Sequence, residues 1–297
     1  MNLQTDSFLE YLKSERNYSP ATIESYAKDL AEFRNFLEGQ RLEPQWADVK
    51  ADDVREWVIY MLDEQKLTAS SVNRKLSALR TCYKYLRKME VVKANPMEKV
   101  VAPKKKRPLP YFVRESDMDK LLELTAEDKT FKSVRDRLIL LMFYETGIRR
   151  AELLGLTDAS VDLKAKQIKV TGKRNKQRIV PFGDELEAGL LAYLDFRKTK
   201  TALANAPALF ITEEGKPLNE AQVSRIVKDN LSMVTTMKKR SPHVLRHSFA
   251  TAMLNNKADL TSIQKLLGHE SVATTEVYTH VSFEDLKNEY KNAHPRK

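Results

Sequence analysis

Between Val100 and Pro110 the chain reads VVAPKKKRPLP, and no other stretch restricts its folding as tightly. Proline has no amide hydrogen, fixes its own φ and pushes the preceding residue into extended backbone, so Pro103, Pro108 and Pro110 exclude a helix here. Lys104, Lys105, Lys106 and Arg107 stand consecutively between them. Four adjacent cations on an extended backbone suit a polyanion laid alongside, with a nuclear-localisation reading of KKKR as the alternative. At 297 residues the chain is long enough for two cores, and the segment reads as a linker, 100–110, between a domain at 1–99 and a larger one at 111–297.

Charge narrows the class of partner. Lys plus Arg total 51 against 41 Asp plus Glu, a formal +10. Such an excess favours nucleic acid through counterion release. A membrane is the weaker fit, because no apolar run approaches the ~20 residues needed to span and no basic amphipathic anchor stands apart. The opening MNLQTDSFLEYLKSERNYS is too polar for a secretory segment, so the expectation is a cytoplasmic protein. Cys82, the sole cysteine, cannot form an internal disulfide and reads as a small packed side chain. Eight glycines and few β-rich runs predict a mainly α fold with a small β-hairpin.

In the first domain the spacing predicts helices over 6–16, 20–37, about 52–65 and 70–88. Ser19 is a natural N-cap, Pro20 suits the first helical position, and Ile23, Tyr26, Leu30, Phe33 and Leu37 form one apolar stripe that stops at Gly39. The fourth helix carries Arg74, Lys75, Arg80, Lys84, Arg87 and Lys88, with no acid before Glu90. A helix of one sign repels itself at i,i+4 and asks for an anion, so these residues are candidate phosphate contacts; a solvated face is the alternative.

The second domain opens with predicted helices at Ser116–Thr125, capped by Ser116, and at Ser133–Glu145, ending at Gly147. In the following TGIRRAELLGL, Arg149 is either salt-bridged to Glu152 for structure or held by Glu152 and aimed at a ligand. Residues 167–181, QIKVTGKRNKQRIVP, give the clearest β signal. They predict a hairpin that throws Lys173, Arg174 and Lys176 out at its tip, into a nucleic-acid groove or into solvent. Asp184–Thr199, the apolar run Ala208–Ile211 and Glu220–Leu231 read as scaffold.

Residues 241–280 concentrate the reactive side chains: His243, Arg246, His247, His269, Tyr278 and His280. Histidine can hold or pass a proton near neutrality, arginine grips phosphate with a planar fork, and tyrosine offers a hydroxyl that can attack. His243-x-x-Arg246 places imidazole and guanidinium on one helical face. A helix at Leu260–Leu267 ends at Gly268, which permits a left-handed turn before His269. His247 points away from Arg246 and reads as structural, and His294 reads as surface or interface. The sequence has no Asp/Glu metal cluster, Walker loop or zinc spacing, so no cofactor is expected.

Arg149 in TGIRRAELLGL, Lys173 in TGKRNKQR, His243 and Arg246 in HVLRHSFAT, and His269 and Tyr278 in LLGHESVATTEVYTH resemble, in order and context, the signature of the tyrosine recombinase/integrase family. The resemblance extends over the whole chain, and the ending YTHVSFEDLKNEYKNAHPRK is similar to the Xer-type site-specific recombinases. Arg174, where glycine is frequent, and the extra Arg150 depart from the family habit without removing a catalytic group.

The resemblance implies a helical SAM-like core-binding domain followed by a mixed α/β catalytic domain. It also implies cleavage of duplex DNA through a 3′-phosphotyrosyl link to Tyr278. Arg149 and Arg246 would stabilise the phosphate oxygens, His243 would assist the tyrosine proton, Lys173 would protonate the leaving oxygen, His269 would hydrogen-bond the phosphate, and Glu152 would support Arg149. The two domains would close round DNA, and four protomers would act together as a homotetramer or beside a second recombinase. Resolution of chromosome dimers at cell division is the implied task, with a DNA translocase as a regulator. A C-terminal helix at Phe283–Ala293, with Leu286 and Tyr290 at i,i+4, would dock on a neighbouring protomer or pack on its own domain. The alternatives are a mobile-element integrase or relaxing enzyme with the same chemistry, and a non-catalytic DNA-binding protein.

Overall fold

The computed structural model describes residues 3–40, 43–104, 111–172, 175–199, 207–268 and 283–296. The chain divides into two compact units, Met1–Pro108 and Leu109–Lys297.

The first unit is a helical bundle of α1 (Leu3–Ser14), α2 (Pro20–Glu38), α3 (Ala51–Asp63) and α4 (Ala69–Lys88). Ser19 starts α2 by accepting the Thr22 amide at 3.3 Å, and Thr68 does the same for Ser71 at the head of α4, at 3.2 Å. Leu30, Phe33 and Leu37 bury one stripe of α2 against Trp57 of α3 and Leu76, Leu79 and Tyr83 of α4. The rings of Phe33 and Trp57 lie 4.9 Å apart, and truncating such a buried aromatic costs about 3–5 kcal/mol. Cys82 is buried, and burial pushes its thiol well above the usual range, as a packed side chain requires.

The basic face of α4 is partly compensated from within. Lys75 is 6% exposed, and its ammonium donates to Asp29 and Glu32 of α2. Arg74 forks onto the same Asp29, donating Nη2 to Oδ1 at 2.8 Å. The expectation of phosphate contact at Lys75 is therefore corrected: a buried ammonium surrounded by its own carboxylates serves the α2–α4 packing. Arg80 is half-buried, while Lys84 and Lys104 are exposed; Lys105, Lys106 and Arg107 lie outside the described residues.

The second unit is built on α6 (Phe131–Thr146), preceded by α5 (Glu115–Leu124). The α5 helix begins one residue earlier than expected, with Arg114 as its extended N-cap and Ser116 already inside the first turn, where Glu115 and Asp117 favour the positive helix end. Thr130 caps α6 through the Ser133 amide at 3.2 Å, and the helix is buried almost throughout because α8 and α10 cover it. A short helix α7 (Arg150–Leu154) follows, then β1 (Val161–Asp162), β2 (Gln167–Thr171) and β3 (Gln177–Pro181).

The strands form one antiparallel sheet in the order β1-β2-β3, with Ile168 opposite Val180 and both buried. β1 adds an edge of two residues that the hairpin reading does not contain. Helices α8 (Asp184–Thr199), α9 (Glu220–Leu231), α10 (Pro242–Asn255), α11 (Leu260–Leu267) and α12 (Phe283–Ala293) complete the unit.

In α12, Tyr290 and Ala293 are buried in the core of their own unit. Leu286 lies outside the described side chains. His294 is 1% exposed, which corrects its reading as surface: its Nδ1 accepts the Arg296 amide at 3.1 Å and its ring stacks on Tyr290 at 4.9 Å. Arg296 pairs with Asp119 of α5 and Glu185 of α8, fastening the end of the chain to the unit.

Candidate active site

Gly147 terminates α6 with φ +59°, a left-handed conformation that costs glycine nothing, and it turns the chain sharply towards Arg149. A Cβ there would meet Phe249 Cδ1 at 2.6 Å and Leu267 Cδ2 at 2.8 Å, so glycine also lets α10 and α11 close on the end of α6.

Arg149 caps α7, and Glu152 stands one turn inside that helix. The Glu152 carboxylate, 3% exposed, accepts the Arg149 amide at Oε2 (2.7 Å) and the Arg149 guanidinium at Oε1 (2.9 Å). Burial alone would push the Glu152 carboxyl up. Hydrogen bonds from Arg178 and from the backbone and side chain of Arg149 outweigh it and hold the group below the usual carboxylate range. Glu152 is thus an ionised anchor, as a residue supporting Arg149 must be.

Three guanidinium groups converge on the end of α11. Arg178 Nε donates to Leu266 O at 2.7 Å, Arg246 Nη2 to Leu267 O at 2.6 Å, and Arg149 Nη2 to Gly268 O at 2.9 Å. These successive carbonyls stand at the C-terminal, negative end of α11, which explains the attraction. Arg246, 7% exposed, also donates Nη1 to Gly147 O at 2.6 Å and so ties α6, α10 and α11 together. Burial and the neighbouring Arg149 push its pKa down to about 10, which leaves it charged at neutral pH.

His243 lies on the exposed face of α10, one turn before Arg246. Partial burial and the nearby Arg150, Arg246, His247 and Arg149 hold its pKa below the usual histidine range, so the free imidazole is neutral at pH 7 and able to accept a proton. His247 is exposed as well, one turn along α10 from His243. Arg150 turns towards α9, donating to Ser224 Oγ at 2.7 Å and pairing with Glu220.

Arg149, Glu152 and Arg246 are thus placed around one end of α11 and the turn after α6, with His243 one turn before Arg246 on α10. Lys173, Arg174, His269, Tyr278 and His280 lie outside the described residues. Gly172, just before Lys173, packs against Glu152, where a Cβ would stand 3.2 Å from Oε1. Gly268, just before His269, takes the left-handed conformation at φ +63°. Lys176 is exposed at the hairpin, and its carbonyl accepts the Gly172 amide at 2.7 Å.

The sequence pattern does not single out Arg178, one of several basic residues in QIKVTGKRNKQRIVP. It points inward, with its side chain 16% exposed. Along β3 Arg178 alternates with the exposed Gln177 and Ile179 and so falls on the inner face, a choice of face that the adjacent apolar pair Ile179 and Val180 leaves open in the sequence. Among the described residues, no group of His, Cys, Asp and Glu is placed to hold a metal ion.

The phage integrase family model matches residues 111–285, and a phage integrase N-terminal SAM-like model matches 5–90. The chain is 39% identical over 296 residues to the tyrosine recombinase XerC of Staphylococcus aureus, covering 100% of this chain and 98% of that one. The crystal structure of XerA recombinase is 28% identical and matches 99% of both chains at a TM-score of 0.50. A pre-cleavage complex of the XerH site-specific recombinase with its difH substrate is 23% identical and shares the fold, at a TM-score of 0.70 over 96% of this chain and 82% of that one.

Proposed function

The chain belongs to the phage integrase family of tyrosine recombinases, and from that membership we propose site-specific exchange of duplex DNA strands through Tyr278. The phenolic oxygen attacks the scissile phosphorus. The Tyr278–phosphorus bond forms, the bond from phosphorus to the 5′-oxygen breaks, and a 3′-phosphotyrosyl link retains the phosphodiester energy without ATP. A free 5′-hydroxyl from another strand later reverses the chemistry and releases the tyrosine.

Tyrosine, with a pKa of ~10, is a poor nucleophile until its proton has somewhere to go. His243 is neutral at pH 7 and takes that role, while Lys173 delivers a proton to the leaving 5′-oxygen. Arg149 and Arg246 neutralise the charge that develops on the non-bridging oxygens, and His269 donates to the same phosphate. The convergence of Arg149 and Arg246 beside His243, with Glu152 holding Arg149, is the observation that carries this reading. Arg74, Arg80, Lys84, Lys104 to Arg107, Arg174 and Lys176 would contact the DNA backbone.

The likeness to XerC over nearly the whole length supports resolution of chromosome dimers at cell division, in the cytoplasm. Four protomers would act as a homotetramer or with a second recombinase, under a DNA translocase; α12, packed on its own unit in the free chain, would leave it to be exchanged between neighbours on DNA. A nicked suicide duplex bearing the recombination site tests the chemistry. The expected product is a covalent protein–DNA adduct, lost in Tyr278→Phe; an adduct that survives that substitution would exclude the proposal.

A further inference from the structure

Resting on that reading of the reaction, we infer that Arg178 is a positioning residue for strand cleavage, acting on the scissile phosphate through Glu152, Arg149 and the end of α11. Arg178 forks onto Glu152, donating Nη1 to Oε1 at 2.7 Å and Nη2 to Oε2 at 2.9 Å. Both carboxylate oxygens are thereby fixed in one plane. They are the same oxygens that take the Arg149 amide and guanidinium. Arg149 owes its orientation to Glu152, and Glu152 owes its own to Arg178.

Charge makes the arrangement necessary. Burial opposes the charge on Glu152, and the hydrogen bond from Arg178 is the largest of the effects that offset it. Without that fork the carboxylate loses the partner that fixes its plane, and Arg149 loses a fixed anchor. The remaining donor of Arg178, Nε, takes Leu266 O at 2.7 Å, so one side chain fixes both the anchor of Arg149 and the helix end that precedes His269.

Gly268 shows how closely the two are fitted. A Cβ at that glycine would stand 3.1 Å from Arg178 Nη1 and 3.2 Å from Cζ, so the guanidinium packs directly on the residue where the chain leaves α11. Lysine could keep the charge but could not supply three donors in one plane. The strand, the Glu152 anchor and the α11 end therefore depend on one rigid fork.

The experiment compares wild type, Arg178→Gln, Arg178→Lys and Glu152→Gln. Cleavage is measured on a nicked suicide duplex and on the same duplex with a neutral methylphosphonate at the scissile position. Circular dichroism and DNA affinity are followed in parallel. Arg178→Gln is expected to bind DNA as wild type does but to cleave about a hundredfold more slowly, the loss that a misplaced catalytic group brings. Arg178→Lys is expected to recover part of that loss.

On the methylphosphonate, which has less charge to neutralise, the deficit is expected to shrink towards parity. The double variant with Glu152→Gln is expected to be no slower than the slower single variant. Should Arg178→Gln not fold, Arg178→Lys carries the same comparison. Wild-type cleavage rates in the variants, or an equal deficit on both substrates, overturn the assignment. Absence of any adduct with wild type defeats instead the reading of the reaction itself.

Discussion

The Tyr290 hydroxyl of α12 donates to Glu145 Oε2 of α6 across 3.3 Å, and the Gly183 amide donates to the same oxygen at 3.1 Å. Glu145 Oε1 is buried, with no partner among the described residues. Burial pushes the Glu145 carboxyl up to about 8, so it is predominantly protonated at neutral pH. A raised pKa in the folded state means that the folded chain holds the proton the unfolded chain has released. The contribution to stability is complete below about 4.5 and is lost as pH rises through about 8.

Glu145→Gln keeps the shape and removes the charge, so it is expected to flatten the fall in melting temperature between pH 6 and 9. An unchanged slope in the variant would show that another group titrates there.

His294 has the opposite sign. Burial pushes its pKa down to about 4, so the folded state excludes a proton that the unfolded chain binds below about 6.5. Its contribution is present above about 6.5 and is lost as pH falls through about 4, a loss on the order of 3 kcal/mol. Thermal unfolding of His294→Phe between pH 4 and 7 is expected to be less pH-sensitive than that of wild type.

Arg246→Lys keeps a cation but cannot reach Gly147 O and Leu267 O together. Cleavage of the suicide duplex is expected to fall by about 10²–10³, the typical cost of removing a donor aimed at developing charge. Single-turnover rates check this, and a loss confined to DNA affinity would count against it.

The free-enzyme cleavage profile should have an acid limb below the usual histidine range, because the pKa of His243 is held down by burial and by Arg150, Arg246, His247 and Arg149. That limb is expected to disappear in His243→Gln. Its persistence would assign the proton to another group.

Lys75 and Lys84 separate fold from contact within one helix. Lys75→Met strips an ammonium from the buried Asp29 and is expected to cost about 3 kcal/mol of stability in the first unit, without changing the salt dependence of DNA binding. Lys84→Ala is expected to leave stability alone and to lower the salt slope by about one. Denaturant unfolding and salt titrations distinguish the two.

The sequence carried the helical architecture well where local chemistry decides it. Ser19 with Pro20 starts α2, Gly147 and Gly268 make left-handed exits, and Asp184–Thr199, Glu220–Leu231 and Leu260–Leu267 end where their patterns end. It was silent where partners arrive from elsewhere in the chain. Lys75 meets Asp29 from another helix, and Arg178 of β3 meets Glu152 of α7, so a count of basic residues could not separate either from the exposed lysines beside it. His294 near the end of the chain looked like surface until Tyr144, Phe249 and Tyr290 were seen to pack round its ring.

The bonds from Arg178 and Arg149 to the end of α11 join residues 88 and 119 positions apart, and the bond from Arg246 to Gly147 spans 99. Closing loops of that size costs entropy before any of these contacts repays it, whereas turns within α6 or α10 form locally. In the order of folding this places the arginine cluster after the helices that bear it. A nascent or partly unfolded chain would carry its positive charge, and so hold DNA, before it could cut: affinity comes with composition, and cleavage waits for the last loop to close.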